Sequence, residues 1–146
     1  MLPKYPPKLF GGNITVVLRG LFSRKGALTG APAVLRVKTY SAQSGYVYRY
    51  FYQGHRPTRR GGAAGTEFVF SVSADRRAWR PAGIGIAVAV WQKSHQRELS
   101  STEVYALAKM ALFQAFDECS DPARMPREVH VSAADIEAIA SKLGFE

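Results

Sequence analysis

The stretch "YVYRYFYQGHRPTRRGG", residues 46–62, decides how the first half of this chain folds. Tyr46, Tyr48, Tyr50 and Tyr52 alternate with Val47, Arg49 and Phe51, the period of two expected of a strand with one buried face. Beyond Gln53, His55, Arg56, Arg59 and Arg60 fall among glycines and a proline, the composition of a loop. The segment therefore reads as a strand over 46–52 joined to a cationic loop.

Three further runs of β-branched and aromatic residues flank it, at 13–19 ("NITVVLR"), 33–39 ("AVLRVKT") and 66–73 ("TEFVFSVS"). Short turn-forming clusters separate the runs, which favours antiparallel neighbours, because a parallel pair needs a crossover of about a dozen residues or more. A fifth short strand is expected at 78–83 ("AWRPAG"), where Pro81 confines it to an edge.

The second half reads as helices. At 99–119, Ser100 precedes Glu103 at the spacing of a capping box, and Val104, Leu107, Ala108, Ala111, Leu112 and Ala115 recur at helical intervals. At 131–144, Ser132 caps a run with Ile136, Ile139, Ala140 and Leu143 on one face, and Gly144 ends it. Residues 84–95 fit both periods; the good helix formers that follow Trp91 favour a helix.

Strands followed by helices predict an α+β fold: an antiparallel sheet of four to five strands from the N-terminal half, with two to three helices of the C-terminal half packed on one face. The chain has 146 residues, 47% of them hydrophobic, and a domain of this size buries roughly 68–70% of its unfolded surface. A single domain spanning 1–146 is expected, with residues 1–12 as an extended or flexible N-terminal arm.

Arg49 prefers water, so Val47, Arg49 and Phe51 are expected to face out and the four tyrosines to face the helices. The same alternation places Ile14, Val16, Leu18, Leu35, Val37, Phe68, Phe70 and Val72 inward. It leaves Arg19, Arg36, Lys38 and Arg49 on a cationic outer face, subject to a register in which a slip of one residue inverts every assignment.

Charge is unevenly spread. Residues 1–80 hold 14 Lys or Arg against two acids, residues 81–146 six against nine, and the net charge is +9. Such a field attracts polyanions. The candidate polyanion-binding residues are Arg19, Arg36, Lys38 and Arg49 on the outer face with His55, Arg56, Arg59 and Arg60 in the loop. Arginine forks match phosphate oxygens, and a solvated loop tip is the plain alternative for the second group.

Catalytic signatures are absent. "GGAAG" precedes a strand instead of opening a helix, so it fails as a nucleotide-binding loop. His55, His95 and His130 share no metal-ligand spacing, and a lone Cys119 offers neither a disulfide nor a zinc site. Cys119 sits at the negative pole of a helix, which disfavours a thiolate, and Asp117, Glu118 and Asp121 read as a solvated helix end. No cofactor is implied. No secretory leader is recognised, and the longest apolar run, 82–91, is short of the roughly 20 residues that span a bilayer, so a cytoplasmic location is expected. The expected function is binding without catalysis, with nucleic acid or another polyanion as ligand; the alternative is a protein-interaction module or homodimer.

Overall fold

The computed structural model describes residues 26–60 and 62–145, the side chain of Arg60 excepted; the arm at 1–12, the strand expected at 13–19 and Arg19 lie outside them. Strands β1 (Lys38–Ser41), β2 (Val47–Arg60), β3 (Ala63–Ala74) and β4 (Arg80–Ile86) come first. Helices α1 (Ala89–His95) and α2 (Ser101–Glu118), a 3-10 turn at Pro122–Arg124, β5 (Glu128–His130) and α3 (Ala133–Lys142) follow. The sheet order is β1-β2-β3-β4-β5, antiparallel except that β5 runs parallel to β4. The α+β class therefore holds, with one strand the sequence did not announce. β5 has three residues and no alternation to read, and the connection through α1 and α2 is what returns the chain in the same direction.

The inner face is the tyrosine face, as expected. Tyr48, Tyr50, Phe68, Phe70, Val72 and Ile84 share one core with Leu107, Leu112 and Phe116 of α2 and Ile136 and Ile139 of α3. Tyr48 stacks on Phe116 at 4.1 Å between centroids, and Tyr40 stacks on Phe113 at 4.3 Å. Each such pair contributes about 0.5–1.5 kcal/mol beyond its area. The strand-end rings Tyr46 and Tyr52 are only partly covered.

The capping box of α2 forms in both directions: Glu103 N–H donates to Ser100 Oγ at 3.2 Å, and Ser100 N–H donates to Glu103 Oε1 at 2.9 Å. Ser132 caps α3 by accepting from Asp135 N–H, and Gly144 adopts φ 78° just beyond it.

Three expectations are corrected. First, residues 53–60 are strand and not loop: β2 pairs with β3 as far as Arg60 opposite Ala63. Pro57 fits because alternate residues direct N–H to the same side. His55 N–H points away from β3, to Thr29 O at 2.8 Å, so the Pro57 nitrogen also faces the open edge of β2. Pro81 obeys the same rule on β4. Gly83 N–H points toward β5, to Arg127 O, and the Pro81 nitrogen faces that side beyond the reach of β5.

Second, residues 84–95 are not one helix. Ile84 and Ile86 continue the inward alternation of β4, and the helix begins only at Ala89, with Trp91 buried. The apolar run satisfied both periods because it contains a piece of each. Third, the strand expected over 33–39 begins only at Lys38 and runs to Ser41, and Leu35 and Val37, expected inward, are exposed. Thr29 and Lys38 both pair with β2, opposite His55 and Tyr50, so the eight residues 30–37 face only the four residues 51–54 and must loop out.

A β-bulge sets the orientation of everything beyond Tyr52. Tyr52 pairs with Phe70, but Gly54 pairs with Val69, so Gln53 is an extra residue and the inward parity changes from even to odd. His55 thereby joins the helix side opposite Phe68, and Arg56 turns to the outer face opposite Glu67. Gly54 has φ 130°, and a Cβ there would lie 2.7 Å from the Thr29 carbonyl oxygen, so the position requires glycine.

Candidate functional site

On the helix side, the far half of β2, the first turns of α2 and the looped-out residues 30–37 leave a cleft of about 510 Å³, lined by Tyr52, His55, Thr66, Phe68, Ser101, Thr102, Val104 and Tyr105. It continues past Tyr52 and Tyr105 into a smaller lobe of about 170 Å³ bounded by Arg36, Lys38 and Tyr50. The dimensions suit a small ligand or part of a chain, and rings with a few polar groups are the usual lining of such sites. Among the described residues, no Asp or Glu lines either lobe.

Four groups with displaced pKa values meet here. Burial, reinforced by Tyr105, pushes the Tyr52 phenol up to about 12; burial also raises Tyr105, and burial followed by Tyr105 raises Tyr50. Lys109 is drawn below the usual lysine range, first by burial and then by the neighbouring Lys38 ammonium, which also meets its side chain. Its Nζ lies 5.8 Å from the Tyr50 ring centre and 5.9 Å from that of Phe113. Among the described residues, no carboxylate pairs with either lysine. Two like charges beside aromatic rings lower their mutual repulsion when an anion sits between them.

His55 is held rigidly at the other end. Its backbone exchanges hydrogen bonds with Thr29 at 2.8 and 2.9 Å, Nδ1 lies 2.9 Å from the Tyr52 hydroxyl, and Nε2 lies 3.4 Å from Thr29 Oγ1. The phenol stays protonated and so can donate to Nδ1; a tyrosine stands where a catalytic histidine has an acid. Ser101 and Thr102 bring the first turn of α2, with its positive end, to the same wall.

The eight residues expected to bind a polyanion do not form one surface. Arg36, Lys38 and His55 border the cleft. Lys38 is a correction: it pairs with Tyr50 and faces the helices, because the neighbouring Tyr40 takes the inward place over Phe113 and sets the parity of β1. Arg49 is on the outer face as expected, with its guanidinium 5.1 Å from the Trp79 ring centre. Arg56 is on that face too, but its Nε donates to buried Glu67 at 2.9 Å, so its charge is largely spent. Arg59 is exposed and donates to Gly62 O at 2.7 Å. The backbone of Arg60 ends β2, and Arg19 lies outside the described residues.

Lys109, Tyr105, Ser101 and Thr102 were not anticipated. A signal for two of them was available: Tyr105, Lys109 and Phe113 lie four residues apart, so one lysine interrupts an aromatic row on a single helix face. No group of His, Cys, Asp and Glu able to hold a metal occurs among the described residues, and none of their helices is long and apolar enough to cross a membrane. The chain matches no protein-family model, no curated protein and no solved structure.

Proposed function

We propose that this protein is a binding domain for single-stranded nucleic acid, holding a phosphate between Lys38 and Lys109 and a base against Tyr52 and Tyr105. The observation that carries the reading is the lysine pair: Lys109, beside the Tyr50 ring, meets Lys38 of the smaller lobe, where Arg36 also lies, and among the described residues no carboxylate pairs with either lysine. A single strand suits the site because its bases are free to stack, and every base has a face that an aromatic ring accepts. The net charge of +9 favours association with a polyanion over a neutral ligand. In this reading His55 and Tyr52 shape the wall of the cleft, held to each other and to Thr29 by hydrogen bonds.

Fluorescence anisotropy of a labelled oligothymidylate tests this. The wild-type chain is expected to bind at low salt, and Lys38→Ala combined with Lys109→Ala is expected to weaken binding about tenfold or more. Equal affinity of wild type and the double variant refutes the site.

A second reading, self-association, is favoured by one observation. Val34, Leu35 and Val37 are 62%, 61% and 44% exposed beside the edge strand β1. β1 is an edge strand among the described residues, and its open side with these apolar side chains next to it is a template for pairing with another copy. Light scattering that finds a monomer at all concentrations removes it.

A further inference from the structure

We infer that Trp79 and Arg49 form a second contact for the same nucleic-acid strand, a base-stacking platform on the outer face of the sheet; the inference rests on the proposed binding of single strands. Trp79 precedes β4 and is 40% exposed, whereas Trp91 is 3% exposed within the core. An indole left in water at a sheet surface gives up the burial that its area would otherwise supply. Here the ring is fixed and not merely displaced. The Arg49 guanidinium lies 5.1 Å from its centre, and Phe51 meets it in a T-shaped contact at 5.1 Å and 62°. A held, partly open indole beside a delocalised cation is what a nucleobase stacks on, and Arg49 itself offers a second planar surface and a positive charge.

The surroundings add charge at the right place. Arg76 and Arg77 are exposed in the turn between β3 and β4, where Asp75 and Arg76 take positive φ values of 52° and 61°. Ser73 on the outer face fixes that turn by donating to Arg77 O at 2.7 Å. Exposed arginines beside an exposed ring supply phosphate contacts on either side of a stacked base.

Arg49 stands one strand from the cleft, and its guanidinium reaches across β3 to Trp79, which precedes β4. Arg49 of β2 pairs with Thr39 of β1, and the next residue along β1 is Lys38, which faces the cleft. Neighbouring strands are separated by about 4.8 Å, so a single strand that runs from Trp79 over the outer face of β3 and β2 to Arg49, and then over β1, the last strand on that side among the described residues, reaches Lys38 and Lys109 after about 14 Å of sheet.

The test follows intrinsic tryptophan emission and the anisotropy of a labelled oligothymidylate of about 12 nucleotides in one titration. Wild type is expected to lose emission in step with the rise in anisotropy. Trp79→Ala is expected to bind about tenfold more weakly, with the emission of its remaining Trp91 unchanged by ligand. Arg49→Ala, which alters no buried side chain, is expected to weaken binding about threefold and to reduce the quenching. If anisotropy reports binding while wild-type emission stays constant and both variants bind as wild type does, the platform is wrong and the cleft reading survives. If no binding occurs at low salt, both fall.

Discussion

Replacing Gly54 with alanine tests the feature that orients the cleft. A Cβ at φ 130° is strained for any L-residue, at a cost of about 1–3 kcal/mol. The atoms it meets are the Thr29 carbonyl oxygen at 2.7 Å and Leu28 Cβ at 3.2 Å. The carbonyl cannot retreat without loss, because it accepts the His55 N–H at 2.8 Å, and the reciprocal Thr29 N–H bond to His55 O shares the same geometry. Weakening that pair adds about 1 kcal/mol. The expected destabilisation is therefore about 2–4 kcal/mol, which for a chain of this size lowers the thermal midpoint by about 5–15 °C. Thermal unfolding followed by circular dichroism measures it, and nucleic-acid affinity should fall as His55 and residues 28–30 lose their anchor. A midpoint within 1 °C of wild type, on the order of the error of the assay, refutes the reasoning that the bulge imposes a glycine.

Two further outcomes are expected. Because anion binding needs Lys109 charged and its pKa lies below the ordinary 10.5, affinity should start to fall at a lower pH than an unperturbed lysine dictates, with proton uptake on binding in that range; isothermal titration calorimetry in buffers of different ionisation enthalpy detects it. Arg56→Ala should leave nucleic-acid affinity near wild type and destabilise the fold by about 2 kcal/mol in urea denaturation, since it strips a partner from buried Glu67 without removing a free cation.

Much of this architecture was legible in residue patterns, and the failures have physical causes. The tyrosine face of β2, the capping box at Ser100 and the cap at Ser132 follow from local periodicity and local hydrogen bonding, which the structure did not need to override. The bulge at Gln53 was invisible because a single inserted residue leaves composition unchanged while reversing the parity of everything after it. Lys38 was misplaced for a related reason: Tyr40 and Phe113 are far apart in sequence, and their stacking fixes the register of β1. The cationic "loop" looked like one because His55, Arg56, Pro57 and Gly54 are poor strand formers singly. Pairing with β3 on one side, with the Pro57 nitrogen turned to the side of β2 left open among the described residues, outweighs that propensity. The cleft itself joins β1, β2, β3 and α2, and only the row Tyr105, Lys109, Phe113 advertised it.

The most direct test of single-strand binding is the salt dependence of affinity in wild type and in Lys38→Ala, Lys109→Ala. Six cations, Arg36, Lys38, Arg49, Arg76, Arg77 and Lys109, face the proposed path. At about −0.7 per phosphate contact on a single strand, the slope of log affinity against log salt should be about −4.2, a loss of about 300-fold between roughly 50 and 200 mM. Removing the two lysines should reduce the slope to about −2.8 and the loss to about fiftyfold. An unchanged slope in the double variant contradicts the account.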